Sequence, residues 1–115
     1  MKATHPFRAL ESLDELERIA AASASRPQVL FKHSTRCSIS AMALSRMTQG
    51  ANHLADKADV YVLDLIRYRE VSNAIAERFQ VHHESPQLLL IEQGDCTLEQ
   101  SHLEIDPKAV AGQIG

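Results

Sequence analysis

The sequence predicts a single α/β domain with a central mixed sheet and helices on both of its faces. Three short apolar runs, at about 28–33, 59–66 and 87–92, have the length of strands that are buried on both sides. Segments of helical period separate these runs, as in crossover connections. A glycine turn at 93–95 then returns the chain as an antiparallel strand. At 115 residues the chain is long enough for one core, so residues 1–115 are assigned to one domain.

The first half of the chain carries clear start and stop signals. Ser12 and Glu15 have the spacing of a capping box, which predicts that a helix begins there. Small residues followed by Arg26 and Pro27 end that helix before the first strand at 28–33. A second helix is predicted to follow the strand and to end at about His53.

The second half repeats the alternation and closes with a hairpin. The strand at 59–66 precedes a helix whose apolar residues recur at helical spacing, and the strand at 87–92 follows a polar turn. The return strand is predicted at 97–105, and a last helix begins after the Asp106 N-cap and Pro107. The predicted order is therefore α-β-α-β-α-β-β-α.

Composition excludes several classes of function. The formal net charge is −3, which gives no support to nucleic-acid binding, and no run approaches the ~20 apolar residues of a membrane span. The N-terminus lacks the basic-then-apolar order of a signal peptide, so we expect a cytoplasmic protein. His33 and Cys37 do not share a helical face, and His82-His83 lacks a second ligand pair. No metal site is therefore predicted.

Cys37 is the strongest candidate for chemistry. It lies between the first strand and the second helix, where free backbone N–H groups and the neighbouring Arg36 favour the thiolate. The spacing Cys37-x-x-Ser40 is that of a redox dithiol with oxygen in place of the second sulfur. We expect a nucleophilic Cys37. The Ser40 hydroxyl could donate a hydrogen bond to its thiolate or satisfy backbone groups of the first turn, and the two roles are compatible. The alternative is a buried, inert cysteine.

Two separated motifs are Lys32-His33-Ser34-x-x-Cys37-x-Ile39-Ser40 and His83-Glu84-Ser85-Pro86-Gln87. With an order of elements like that of the thioredoxin fold, they resemble the monothiol bacilliredoxin family of thioredoxin-fold proteins. That family is associated with the low-molecular-weight thiol bacillithiol. Ser38 stands where the family usually has proline, and Arg36 stands where threonine is common. These departures leave open whether the small thiol is bacillithiol, glutathione or another carrier.

The resemblance also implies a substrate groove. Pro86 is expected to be the cis-proline of the fold, in a loop that faces Cys37 and offers the backbone of Ser85 to an extended substrate. Pro86 and His102 lie equally far from Gly94 in the sequence, so antiparallel pairing should place them opposite each other. His102 would then lie beside Cys37, where it could stabilise the thiolate or protonate a leaving thiol.

Arg67 and Cys96 complete the set of candidates. Arg67 follows the strand at 59–66, at the end of the sheet where ligands tend to bind, and its guanidinium could hold the carboxylates of a small thiol. Its simpler role is that of a solvated residue at a helix start. Cys96 lies beside the hairpin turn, on the order of 20 Å from the other end of the strand, and is expected to be a bystander.

These features together predict a monothiol thiol–disulfide oxidoreductase. Cys37 would take a low-molecular-weight thiol from S-thiolated client proteins, with bacillithiol or glutathione as co-substrate and no resident cofactor. Two alternatives stay open. One is a non-catalytic thioredoxin-like module that binds peptides in the groove at Pro86. The other is a thiol reductase of a different oxidant.

Overall fold

The computed structural model describes residues 5–114, so residues 1–4 and 115 of the predicted domain lie outside the described part. Its strands are β1 (Arg8–Ala9), β2 (Gln28–His33), β3 (Asp59–Asp64), β4 (Gln87–Glu92) and β5 (Asp95–Ser101). Its helices are α1 (Leu13–Ala22), α2 (Ser38–Gln49), α3 (Ala51–Ala55), α4 (Arg69–Phe79) and α5 (Pro107–Gln113), with a 3-10 helix at His102–Glu104. Within residues 5–114, no helix combines the length and the hydropathy needed to cross a bilayer.

The five strands form one mixed sheet in the order β1-β3-β2-β4-β5. Strands β1 and β2 both run parallel to β3, whereas β4 runs antiparallel to β2 and to β5. The predicted fold class is confirmed. The two-residue edge strand β1 was not predicted, because two residues carry no periodic signal.

The helices cover both faces of the sheet and create two apolar cores. One core joins α2, α3 and α5 to side chains such as Val29 and Phe31 of β2. The other joins α1 and α4 to the opposite face, where Leu30 of β2 is fully buried. Alternate residues of β2 thus enter different cores, which explains why its sequence is apolar without interruption up to Phe31.

The helix predicted to end at about His53 is divided at Gly50 into α2 and α3. A side chain at residue 50 would clash with the ring of Pro107, which opens α5. The glycine therefore allows α5 to pack closely against the junction between α2 and α3. The predicted uninterrupted helix is wrong because its break depends on a contact with a residue that is distant in sequence.

The hairpin between β4 and β5 has a two-residue turn, in which Gln93 and Gly94 both adopt positive φ. Thr97 is an extra residue in β5, because Leu90 pairs with Leu98 whereas Ile91 pairs with Cys96. The predicted strand at 97–105 is wrong at both ends.

Strand β5 ends at Ser101 because His102 takes a φ of 55° and opens the 3-10 helix. The chain therefore leaves the sheet beside the start of β4.

Candidate active site

The register of the sheet brings the two sequence motifs to one end of the molecule. Lys32 of β2 pairs with Gln87 of β4, and this is the last pair before both strands leave the ladder. The chain continues from β2 into the turn that carries Cys37. The segment that enters β4 carries Ser85 and Pro86. Because β2 and β4 are antiparallel neighbours, the turn and the proline segment lie at the same edge of the sheet.

Cys37 is the N-cap residue of α2, with extended backbone angles (φ −118°, ψ 124°). Its N–H donates to Ser34 O at 3.3 Å, and its carbonyl accepts from Ala41 N–H at 3.0 Å. Its side chain is half-buried, and within residues 5–114 no side chain, that of Cys37 included, accepts a hydrogen bond from the first-turn N–H groups of α2. These N–H groups are therefore free at the helix end where Cys37 lies, and such groups stabilise a thiolate better than a thiol.

Ser40 satisfies a backbone group, which is one of the two roles that the sequence allowed. Its hydroxyl is fully buried, lies 2.7 Å from His33 Nδ1 and accepts a 2.9 Å hydrogen bond from Ser34 N–H. Among the described residues, its hydrogen bonds go to these two groups and not to Cys37. The first turn of α2 directs residue 40 inward, onto polar groups that burial would otherwise leave unpaired. A hydrogen bond from Ser40 to the Cys37 thiolate stays a prediction.

The proline segment is built as expected. The Ser85–Pro86 bond is cis, Pro86 is buried and Ser85 is half-buried. The backbone N–H of His102 donates to Pro86 O at 3.0 Å, so the predicted pairing of residues 86 and 102 is confirmed. The extra residue Thr97 makes this pairing possible, since an unbroken ladder from the turn would place Ser101 opposite Pro86.

The side chain of His102 belongs to a polar group on this loop. Its Nε2 lies 3.4 Å from Glu84 Oε1, and His82 lies 3.8 Å from the other oxygen of the same carboxylate. The ring of His102 is about half exposed, at 51%. Within residues 5–114, its ionic partner is Glu84 and no hydrogen bond joins it to Cys37. Its predicted effect on the thiolate stays a prediction.

The two candidate arginines lie on different sides of the Cys37 turn. Arg36 is exposed next to Cys37. The Arg67 guanidinium lies 5.4 Å from the centre of the Tyr68 ring. Arg67 also lines a cavity of about 340 Å³ with His33 and Thr35, so it shares a wall with the segment that leads into Cys37. Cys37 itself is not among the residues that line this cavity.

The family model "Monothiol bacilliredoxin BrxC" matches residues 8–110, which is most of the chain. The match includes β2, the Cys37 turn, the cis-proline and the β4–β5 hairpin. The chain belongs to the monothiol bacilliredoxin family.

Solved structures place this bacilliredoxin family member in the thioredoxin fold. It shares 28% identity with a protein described as an oxidoreductase with a thioredoxin fold, at a TM-score of 0.80, over 91% of this chain and 90% of the other. Thioredoxin from Malassezia sympodialis aligns at 14% identity and a TM-score of 0.77, over 99% and 95% of the two chains. Mitochondrial thioredoxin 3 from Saccharomyces cerevisiae aligns at 14% identity and a TM-score of 0.70, over 94% and 92%. The two thioredoxins show the fold alone, whereas family and fold together support a thiol redox function.

Sequence reasoning missed a buried polar group beneath the proline segment. Lys32 is fully buried, and its Nζ lies 2.7 Å from His83 Nδ1. Gln87, also buried, donates to His82 O at 2.9 Å and to Glu99 Oε2 at 3.0 Å. One signal was available, because a lysine at the end of an apolar strand that is covered on both faces must be buried. The partners of these side chains carried no sequence signal.

The surface beside Cys37 is unusually apolar. Among the described residues four large apolar side chains are exposed, and three of them, Ile39, Met42 and Leu103, lie on α2 or the 3-10 helix. Arg46, one turn beyond Met42, donates to Leu103 O at 2.7 Å, so the 3-10 helix borders this face of α2. We call Ile39, Met42 and Leu103 the apolar rim. The fourth exposed side chain, Leu13, lies at the start of α1, beside the opposite edge of the sheet.

Proposed function

We propose that this protein is a monothiol thiol–disulfide oxidoreductase that removes a low-molecular-weight thiol from S-thiolated client proteins through Cys37. One observation carries the proposal. Cys37 lies at the uncapped N-terminus of α2, and the place of a resolving sulfur is taken by the Ser40 hydroxyl, which is bound to His33 and Ser34. Such a site forms a mixed disulfide but has no second thiol at that position to release it.

The reaction follows from these constraints. The Cys37 thiolate attacks the small-thiol sulfur of a client mixed disulfide, a Cys37–small-thiol bond forms, and the client sulfur leaves as a thiolate. The client is reduced while Cys37 is oxidised. Because Ser40 cannot form a disulfide, a second small thiol or a separate reductase must regenerate Cys37.

The partners are S-thiolated client proteins and a small thiol, and we assign no resident cofactor. The family name favours bacillithiol. Glutathione is the runner-up, because Ser38 and Arg36 depart from the usual motif beside Cys37. A chemistry that relies on reduced thiols fits the cytoplasm, which we propose as its location. The apolar rim beside Cys37 favours a protein as the donor of the small thiol.

The proposal is tested with reduced protein and a client that carries bacillithiol, glutathione or cysteine in a mixed disulfide. We expect the matching small thiol to appear on Cys37, detected by mass spectrometry of the separated peptides, while an equal amount of client thiol is released. Cys37→Ser is the control and should carry no adduct.

Failure to accept any of the three small thiols would overturn the proposal. It would favour the non-catalytic module if Cys37 still reacted with an alkylating reagent. Reduction of a different oxidant through Cys37, without transfer from any client, would favour the other alternative.

A further inference from the structure

A buried lysine lies behind the proline segment, and the reaction above does not use it. Lys32 has no exposed surface, and its Nζ lies 2.7 Å from His83 Nδ1. Among the described residues, this ring nitrogen is its hydrogen-bond partner. The contact joins two residues that are 51 positions apart and ties β2 to the loop before the cis-proline.

Burying Lys32 at this position is unfavourable for the free energy of folding. A buried ammonium group loses its hydration, and an apolar side chain of similar volume would stabilise the strand at least as well. Burial lowers the pKa of Lys32 to about 8. Near neutral pH the amine therefore carries a proton that it releases far more readily than a solvated lysine does.

His83 connects this amine to the surface. A protonated Lys32 donates to Nδ1, which fixes the neutral tautomer of His83 with its proton on Nε2, across the ring. The residue is exposed, and within residues 5–114 no hydrogen bond occupies Nε2. Burial, then the neighbouring charges of Lys32 and Arg69, lower the pKa of His83, with Glu84 opposing them. The ring therefore stays neutral and keeps a proton to donate.

Gln87 fixes the segment that holds this ring. Its amide nitrogen donates to His82 O and to Glu99 Oε2, and its amide oxygen accepts from Glu84 N–H at 3.4 Å. The residues on both sides of His83 are therefore held from beneath by a second buried side chain, which pairs with Lys32 across the strands.

We propose that Lys32 and His83 form a proton relay to the client sulfur that leaves when Cys37 attacks, an inference that rests on the proposed function. As the client sulfur takes the electron pair of the broken S–S bond, His83 Nε2–H donates its proton to it. In the same step Lys32 Nζ gives its proton to His83 Nδ1, so the ring stays neutral throughout. The pair is reset when His83 Nε2 takes a proton from solvent and Nδ1 returns its proton to the buried amine of Lys32. His83 touches the leaving group, and Lys32 acts through His83.

The charges around the pair define the pH range of the relay. Arg69 of α4, together with His82 and Glu84 of the loop, faces His83, and Glu99 of β5 reaches the site through Gln87. Below the lowered pKa of His83, both ring nitrogens carry protons and Nδ1 cannot accept from Lys32. Above about pH 8, Lys32 has lost the proton that it would supply. The relay therefore operates between these two limits.

The test compares two mixed disulfides that differ only in their leaving thiol. An alkyl thiol leaves as a basic thiolate and needs a proton, whereas a nitro-substituted aromatic thiol leaves as a stable anion. We expect Lys32→Met and His83→Gln each to slow single-turnover transfer at least about tenfold with the alkyl leaving thiol, which is less than the ~10²–10⁴-fold that general acids typically contribute. With the aromatic leaving thiol, the change should stay below about twofold.

Two controls keep the result interpretable. Gln87→Met disturbs the segment without removing the relay, so any loss it causes should be equal for both substrates. His83→Gln changes an exposed side chain and keeps an acceptor for Lys32. If Lys32→Met does not fold, the relay is therefore tested by His83→Gln alone. Equal losses with both leaving thiols, or no loss with either, would overturn the relay alone. No transfer by the unmodified protein from either substrate would overturn the proposed function and the relay with it.

Discussion

The two cysteines of this chain lie at opposite ends of the sheet, and the groups around the two thiols differ. Cys37 stands at the N-cap position of α2, at the same sheet edge as the cis-proline segment, and within residues 5–114 no side chain accepts from the first-turn N–H groups. Cys96 lies next to the hairpin turn and packs against the α1–α4 core, and its S–H donates to Leu98 O at 3.4 Å. From Cys96 to the end of β5 the strand runs for five residues at ~3.3 Å each, so the two thiols are too far apart for a disulfide.

From this comparison we expect the surroundings of each thiol, and not its mere presence, to decide which cysteine reacts. Burial raises the pKa of the Cys96 thiol, and the nearby Glu99 adds to this, so little thiolate exists there near neutral pH. Around Cys37 the elements that would bind a substrate converge: the N-terminus of α2, the Pro86 segment and the apolar rim. At the Cys96 end, the hairpin turn is instead bonded to Ser23, the C-cap residue of α1.

The largest effect is expected from exchanging each cysteine for serine. Cys37→Ser should abolish transfer of the small thiol, because a serine hydroxyl neither forms a thiolate nor joins a disulfide. Cys96→Ser should leave the transfer rate within about twofold and cost less than about 1 kcal/mol in the free energy of unfolding. Single-turnover transfer from a client mixed disulfide measures the first quantity, and denaturant unfolding measures the second.

The pH dependence of the alkylation rate checks the contrast between Cys37 and Cys96 independently. In Cys37→Ser the remaining thiol is Cys96. Its raised pKa means that the alkylation rate should rise only at a pH above that for a free cysteine. If Cys96 were alkylated quickly near neutral pH, or if Cys96→Ser stopped transfer, the contrast between the two ends would be wrong.

The second-largest effect is expected in the free energy of unfolding, from a substitution in the first turn of α2. Ser40→Ala removes the group that bonds His33 and Ser34, leaving a buried N–H and a ring nitrogen unpaired. We expect a loss of about 1–3 kcal/mol in the free energy of unfolding, measured by denaturant titration. Ser38→Ala, at the exposed first position of the same helix, is the control and should change stability by less than about 0.5 kcal/mol. An equal, small effect of both would show that the buried bonds contribute little.

The sequence could predict where Cys37 lies in the fold but not the contacts around it. Cys37 follows from a strand, a turn and a helix start, all of which are local signals. The inward direction of Ser40 and the partner of Lys32 depend on how distant segments pack, and no periodicity encodes that. The same reason explains the break at Gly50, which exists because Pro107 packs there. The pairing of His102 with Pro86 was predicted from the position of the turn, and it holds only because Thr97 adds one residue to β5.

A smaller effect is expected from the apolar rim. Met42→Gln combined with Leu103→Gln should lower kcat/KM for protein clients about fivefold. This corresponds to ~1 kcal/mol from partial burial of the two side chains at an interface. A small peptide-free mixed disulfide should react as before, because it does not reach the rim. Leu13→Gln removes a comparable exposed side chain beside the other edge of the sheet, and it should change neither rate. A drop with the small disulfide would instead indicate damage to the site.

The smallest effect distinguishes Arg67 from Arg78, a second exposed arginine that lies over the ring of the next residue but also pairs with Glu17. Arg67 lies over Tyr68 at 5.4 Å, near the Cys37 turn, and Arg78 lies over Phe79 at 5.9 Å, at the far end of α4. Each is exposed, so replacing either with glutamine should barely alter stability. If Arg67 holds the carboxylates of the small thiol, Arg67→Gln should raise KM about two- to threefold, as an exposed charge pair allows.

Three comparisons then separate binding by Arg67 from a general change of charge. The rise in KM should appear with glutathione mixed disulfides and vanish with mercaptoethanol mixed disulfides, which carry no carboxylate. It should shrink at high salt, because exposed charges are screened within ~10 Å at 0.1 M ionic strength. Arg78→Gln should leave KM unchanged for both, since its guanidinium pairs with Glu17 at 2.8 Å, at the end of α4 away from Cys37. A similar rise in both variants would assign the effect to net charge and remove Arg67 from the substrate site.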